Sequence, residues 1–223
     1  MPQKTVLAVN GSPRRKGNTA KLLQRILEGA QAAGASTEMV HLYGLDFKGC
    51  LSCFSCKRKD RRHGVCAMKD ELSPVLERIK EADAVAFGSP IYFMNVSSGF
   101  FAFAERLFFS NYLYSAEIPT VFPKKMPSAL VYTMNMTKAQ YEQFSMDTRL
   151  GIMDMAMGQH FRVPPRKLFA FDTYQFSDYA KYESSIFSEP HKASWRRENW
   201  PVLLDQAFTL GQELVQWQEA PAS

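Results

Sequence analysis

The stretch Gly11-Ser12-Pro13-Arg14-Arg15-Lys16-Gly17-Asn18-Thr19 constrains the fold more than any other part of this chain of 223 residues. It follows the apolar run Val6-Leu7-Ala8-Val9 and precedes an amphipathic run from Ala20 to Ala33. That order reads as a strand from Thr5 to Asn10, a tight loop, then a helix. Glycine and proline punctuate the turn, and Asn18 or Thr19 is placed to cap the helix. A loop that feeds a helix N-terminus points backbone N–H groups at one spot, where the helix dipole favours an anion. Ser12, Asn18 and Thr19 add polar donors and Arg14 adds a full positive charge, so the stretch reads as a phosphate cradle. A Walker loop closes on Gly-Lys-Ser/Thr, whereas this one closes on Gly17-Asn18-Thr19, which argues against a nucleoside triphosphatase. A dinucleotide-binding turn needs G-x-G-x-x-G and an acid beyond the second strand; here that strand, Glu38 to Leu42, ends in Val40-His41-Leu42. A monophosphate site with polar donors remains, with a solvated basic loop as its alternative.

The rest of the chain alternates between strand and helix patterns. Helix one ends between Ala30 and Gly34, and a second helix spans Asp70 to Glu81. Ala84 to Phe87 is a continuous apolar run, as a strand buried in a parallel sheet requires. Ser97 or Ser98 caps a helix running to about Phe109, Ala129 to Thr133 is strand four, and Thr137 to Gly158 reads as helical. Met146, Met153, Met155 and Met157 in that segment read as core or interface filler. Leu168 to Phe171 is strand five, Phe176 to Arg197 reads as short helix plus loop, and Pro201 to Gln218 closes the chain as a helix. The alternation predicts an α/β fold: one doubly wound five-stranded parallel sheet with helices on both faces. Residues 1–223 form a single domain in this reading, with a cysteine-rich insertion at 43–68. The net charge of +5 is mild and suggests anionic ligands or acidic partners, and no nucleic-acid signature accompanies it. The longest apolar run, Phe100 to Phe109, is interrupted by Glu105 and Arg106 and falls short of the roughly 20 residues that cross a bilayer. Met1-Pro2-Gln3-Lys4 runs straight into a strand, so the expectation is a cytoplasmic protein without signal peptide. In a reducing compartment four cysteines favour metal or redox use over disulfides.

Gly11-Ser12-Pro13-Arg14 followed by Gly17-Asn18-Thr19 resembles the FMN-phosphate loop of the flavodoxin-like NAD(P)H-dependent FMN reductase family. Gly88-Ser89-Pro90-Ile91-Tyr92 resembles that family's second flavin loop, and Cys50, Cys53 and Cys56 between them resemble its iron–sulfur flavoprotein branch. The resemblance covers about the first half of the chain and implies a flavodoxin-like fold, FMN as cofactor, NAD(P)H as a donor, and a homodimer or homotetramer. In such a sheet, ligands bind outside the carboxyl ends of the strands. Strand one delivers Ser12, Arg14, Gly17, Asn18 and Thr19; strand three delivers Pro90, Ile91, Tyr92, Phe93 and Asn95; strand four delivers Thr133-Met134-Asn135. Asp172-Thr173-Tyr174, after strand five, can approach the same site. An isoalloxazine needs flat apolar contact, which Tyr92 and Phe93 supply, and hydrogen bonds along one edge, which Asn95 and the loop backbone supply. For Pro90, Tyr92 and Asn95 the resemblance implies the same assignment. No catalytic side chain is required, since electron transfer is the flavin's own chemistry. His41, His63, His160 and His191 are scattered and read as surface or satisfied histidines.

Cys50-x2-Cys53-x2-Cys56-x9-Cys66 is the second strong pattern. Three closely spaced cysteines plus a fourth suit a [4Fe–4S] cluster better than structural zinc, which usually shows two separated Cys-x2-Cys pairs. Zinc, redox thiols and plain reduced cysteines remain open, and the gap before Cys66 is longer than the branch pattern. Lys57 to Arg62 fills that gap, either as a solvated charged loop or as a docking patch for an acidic electron carrier or a pyridine-nucleotide phosphate. The expected function is an FMN-dependent oxidoreductase moving electrons from NAD(P)H or a low-potential carrier to a small acceptor. Non-enzymatic electron-carrier or sensor flavoprotein, and zinc-stabilised binding module, are the alternatives from other classes.

Overall fold

The computed structural model describes residues 2–219. Its elements are β1 (Thr5–Asn10), α1 (Asn18–Ala32), β2 (Ser36–His41), α2 (Ser73–Glu81), β3 (Ala84–Tyr92), β4 (Asn95–Val96), α3 (Ser98–Asn111), β5 (Ser128–Thr133), α4 (Lys138–Gln143), α5 (Met146–Phe161), β6 (Arg166–Ala170) and α6 (Glu189–Gln216). The main sheet runs β2-β1-β3-β5-β6, every pair parallel, which is the flavodoxin-like doubly wound order. β4 lies off this path, antiparallel to the tip of β3.

The apolar runs of β1, β3 and β5 are buried throughout because helices cover both faces of the sheet. On one face α1 and α6 bring Leu22, Leu23, Ile26, Ala207 and Leu210 against Val6, Ala8 and Val131. On the other, α2, α3 and α5 pack around an aromatic centre in which Phe87 stacks on Phe161 at 6.0 Å and tilts against Phe103 at 5.6 Å. Among the described residues no helix is long and apolar enough to cross a membrane.

Several expected boundaries move, each for a local reason. α1 begins at Asn18 with Gly17 as N-cap, so neither Asn18 nor Thr19 caps it and no side chain does. β3 continues past Phe87 because Ser89 and Pro90 still pair with Tyr132 and Thr133, after which Ile91 and Tyr92 fold back on β4. The expected single helix over 137–158 splits at Ser145, whose φ of 50° is left-handed, and α4 is closed by a capping box between Thr137 and Gln140. Met146 and Met157 fill the core, while Met155 is exposed. The closing helix starts at Glu189 rather than Pro201, which lies inside it. A proline deletes one helix hydrogen bond; here a Ser188 cap and the burial of Trp200, Leu203, Leu210 and Leu214 carry the helix through.

Candidate functional site

Parallel register brings Asn10, Gly88, Thr133 and Ala170 to one end of the sheet, so the loops leaving β1, β3, β5 and β6 meet there. Asn10 is fully buried and shapes the first loop: its Oδ1 accepts from Ser12 N at 3.0 Å, and its Nδ2 meets His41 Nδ1 at 2.9 Å. Ser12 Oγ then accepts from Arg14 N, and Gly17 N donates to Arg14 O at 3.0 Å. Gly11 is the point of closest approach. A Cβ there would lie 2.7 Å from Phe100 Cβ and 3.0 Å from Gly88 O, while its own N–H donates to Gly88 O and its carbonyl accepts from Ser97 Oγ.

The turn therefore delivers an uncapped helix N-terminus. The first-turn amides of α1 have no intrahelical acceptor, and no side chain caps the helix. No acidic residue stands in its first turn, and Arg14, Arg15 and Lys16 are exposed beside it. Thr19 and Thr133 are both buried and share a hydrogen bond at 2.7 Å, locking the loop after β5 to the start of α1. Asn135 Oδ1, on the same loop, is buried without a partner. This combination of orphaned donors, surplus positive charge and an unused buried acceptor fits a ligand with a phosphate and a hydrogen-bonding body.

The loop after β6 closes over the turn. Asp172 adopts a left-handed φ of 48°, and its buried carboxylate pairs with buried Lys192 of α6. Tyr174 O accepts from Asn18 Nδ2 at 2.9 Å, Gln175 O accepts from Arg14 Nη1, and Arg196 Nη1 of α6 reaches Asn18 Oδ1 at 3.3 Å. Asp172, Thr173 and Tyr174 thus do approach the site. Gln175 and Arg196 were not legible in the sequence, because no local pattern links residues so far apart in the chain.

The β3–β4 connection is a two-residue hairpin through Phe93 and Met94, with φ of 47° and 65°. Both signs are those of a type I′ turn, which normally takes Asn-Gly, so two bulky residues are held in a strained conformation. Phe93 is fully exposed at its tip. Pro90 is buried in the ladder, Ile91 is half-buried, Tyr92 is 43% exposed, and Asn95 is exposed with its Oδ1 on Val96 N. Burial raises the Tyr92 phenol, and the Arg14 charge opposes this. Ser12, Arg14, Gly17, Asn18, Thr19 and Thr133 are brought together, and Tyr92 lies near them; Phe93 projects away.

The cysteine loop packs on α3. Cys50, Cys53, Cys56 and Cys66 all line one cavity of about 20 Å³, floored by Arg106, Phe109 and Ser110. Cys50 N donates to Glu105 Oε2 at 3.1 Å, and Arg106 Nε donates to Cys66 Sγ at 3.1 Å. Burial raises the Cys56 thiol, with Lys57 pulling the other way. Lys57 is turned inward, donating to Phe109 O and Tyr112 O at the C-terminus of α3 and lying 4.1 Å from the Phe109 ring. The basic run therefore loses Lys57 to structure, and Asp60 pairs with Arg58, leaving Lys59, Arg61 and Arg62 as its outward charges. Among the described residues, no three His, Cys, Asp or Glu side chains group to hold a single metal ion. Four cysteines around one cavity are the donor chemistry of zinc and of an iron–sulfur cluster alike. That cavity has room for about one water-sized sphere, so admitting a cluster requires the 50–56 loop to open.

A pocket of about 640 Å³ lies between α3 and α5, its lining reaching from Asn95 to Cys50 past Phe101, Phe108 and Met153. At its inner end His160 is buried with Nε2 unpartnered, correcting the expectation that it is satisfied or at the surface.

The family model described as NADPH-dependent FMN reductase matches residues 5–159, well over half of the chain. An iron–sulfur flavoprotein of Archaeoglobus fulgidus is 40% identical over 92 residues, which are 41% of this chain and 43% of that protein. An iron–sulfur flavoprotein of Methanocaldococcus jannaschii is 36% identical over 93 residues, 42% of this chain and 46% of that one. The matched stretch is thus less than half the length of either relative. Among solved structures, an NAD(P)H:quinone oxidoreductase from Methanothermobacter marburgensis superposes with a TM-score of 0.71 at 18% identity, covering 98% of this chain and 100% of its own. An azoreductase from Bacillus anthracis gives 0.68 at 15% identity, with 95% and 100% covered. At these identities the structural likeness speaks to the fold.

Proposed function

Since the chain belongs to the NADPH-dependent FMN reductase family, we propose that it is a flavin oxidoreductase that binds FMN at the strand ends and moves electrons from a reduced donor to a small acceptor. The observation that carries this reading is the uncapped, acid-free N-terminus of α1 beside Arg14, joined to an unused buried acceptor at Asn135. Bound FMN supplies the redox chemistry, taking up electrons from a donor and releasing them to an acceptor. The protein's part is position and electrostatics. The α1 amides, Ser12, Gly17, Asn18 and Thr19 would hold the phosphate, and Arg14 would add a charge-assisted bond. Thr133 fixes the loop after β5 through Thr19. Pro90, Ile91, Tyr92 and Asn95 would border the ring system, with Phe93 extending the apolar surface outward. The apolar pocket between α3 and α5, which starts at Asn95, is of the size that takes a small acceptor.

The four cysteines line a single cavity, and the chain has relatives named iron–sulfur flavoprotein; both support a [4Fe–4S] cluster held by Cys50, Cys53, Cys56 and Cys66. Such a cluster supplies one-electron transfer when present. NAD(P)H and an acidic electron carrier are both candidate donors, the second through the outward charges of Lys59, Arg61 and Arg62.

The test is to purify the protein without oxygen, release the cofactor by heat and separate it chromatographically. FMN should be the main species, and FAD in its place sinks the phosphate-loop reading. Iron and acid-labile sulfide after anaerobic reconstitution should each approach about four per chain, as a [4Fe–4S] cluster requires. Cys53→Ser should abolish both. Zinc, or no metal, in the reconstituted protein would leave a flavin reductase without a cluster.

A further inference from the structure

Arg106 is a charged residue in the wrong place for a surface helix. It lies on α3 between the buried Phe103 and Leu107, and it is 1% exposed. An isolated buried cation is unfavourable by several kcal/mol, so its partners must account for its position. Nη1 donates to Asp70 Oδ2 at 2.8 Å and Nη2 to Asp70 Oδ1 at 3.2 Å, a bidentate pair that holds the guanidinium plane. Nη1 also donates to Lys48 O at 2.9 Å. The remaining edge, Nε–H, points at Cys66 Sγ at 3.1 Å, and the residue floors the cavity that all four thiols line. The carboxylate and the carbonyl take three of the five guanidinium N–H donors and leave Nε–H for another partner. The fourth contact is to sulfur, and it is fixed by the other three.

We propose that Arg106 is a positioning and tuning residue of the sulfur site: it holds Cys66 within the ligand set across the long gap from Cys56, and it gives the Cys66 sulfur a permanent charge-assisted hydrogen bond. The inference rests on the reading that these four thiols hold a cluster. Hydrogen bonds to cluster sulfurs, and nearby positive charge, stabilise the more negative, reduced state and so raise the reduction potential. Arg106, itself buried, supplies the hydrogen bond directly, while its charge is shared with the Asp70 carboxylate. It also explains how Cys66 serves despite its distance in sequence, since Asp70 and Arg106 tie the 66–70 segment to α3.

The test uses the double variant Arg106→Gln/Asp70→Asn, which removes both charges together and leaves no lone buried ion. Iron and sulfide are counted after anaerobic reconstitution, and the cluster potential is read by redox titration. Retained iron with a potential lower than wild type supports the proposal, and retained iron with an unchanged potential overturns it. Should the variant lose its iron, the wild type grown on ¹⁵N-arginine decides: pulsed EPR of its reduced cluster should show a nitrogen coupling, and its absence overturns the assignment. Wild-type protein that takes up no iron sinks the cluster reading itself, and this inference with it.

Discussion

Replacing Gly29 by alanine sets two physical effects against each other, and the structure says which wins. Gly29 lies in the interior of α1, where alanine ordinarily gains about 1 kcal/mol over glycine in helix propensity. It is also buried at the crossing with α6. A Cβ built there falls 1.9 Å from Phe208 O and 2.8 Å from Phe208 C, both backbone atoms that cannot rotate away. Ordinary contact begins at 3.4 Å, so the helices must part locally by roughly 1.5 Å. A gap of about 1 Å already forfeits about half of a dispersion well, and overpacked cores typically lose about 1–3 kcal/mol or more. Set against the propensity gain, Gly29→Ala should destabilise the protein by about 2 kcal/mol, lowering Tm by about 4–8 °C. The site should feel it too, because Arg196 on α6 reaches Asn18 on α1. Gly151→Ala is the control: on α5 nothing lies within 4 Å of its Cβ, so the same chemical change should raise stability by about 1 kcal/mol. Thermal and denaturant melts of both variants measure the pair. A Gly29→Ala protein as stable as wild type would refute the close-packing argument, whatever Gly151→Ala does.

Arg14→Ala should weaken FMN binding tenfold or more, since charge-assisted bonds contribute about 1.5–3 kcal/mol; an unchanged dissociation constant at low salt would move the phosphate elsewhere. Burial, helped by Lys80 and Arg162, lowers His160 to about 3, so the native state keeps it neutral while the unfolded chain protonates near 6.5. Its contribution is therefore full above pH 6.5 and is lost by up to about 1.4 kcal/mol per pH unit as pH falls toward 3. Denaturant midpoints at about pH 7.5 and about pH 5 should separate in the wild type and draw together in His160→Gln; an equal separation in both assigns the loss to other groups. Phe93→Asn/Met94→Gly should relieve the strained hairpin and stabilise the fold by about 1–2 kcal/mol, with weaker flavin or acceptor binding if the ring is a contact. No gain in Tm would mean that the turn is not strained.

Legibility in the sequence followed the range of the forces involved. β1 is read to the residue, because five of its six residues are buried and glycine follows directly. The parallel sheet covered on both faces was readable from alternation, and its flavodoxin-like character from the resemblance of the two loops. The start of α6 was not: Pro201 looks like a first-turn proline, and the residues that extend the helix backwards to Glu189 do so through partners such as Asp172 that are distant in sequence. Ser145 gave no turn signal, since a serine in left-handed backbone has no compositional mark. Around the site, the nine-residue loop was legible and its organiser was not. Asn10 ends a strand of apolar residues, and its side chain shapes the turn from behind. Arg106 had a readable mark: it stands three residues after Phe103 and four before Ser110, on the buried stripe of α3. A charge on such a stripe demands a partner, yet the sequence does not say which.

Arg14 and Asn18 already have acceptors, the carbonyls of Gln175 and Tyr174. The protein's own backbone thus acts as a placeholder for an anion, and an incoming phosphate competes with it. Measured affinity is then an exchange free energy, smaller than the new contacts alone would provide. The displaced carbonyls return to solvent, so occupancy at α1 releases the chain after β6 rather than tightening it. By reciprocity, anything that pulls the 172–175 segment away from the turn raises affinity for the anion by the same factor. A contact on the outer surface of that segment would therefore regulate cofactor retention without touching the cofactor.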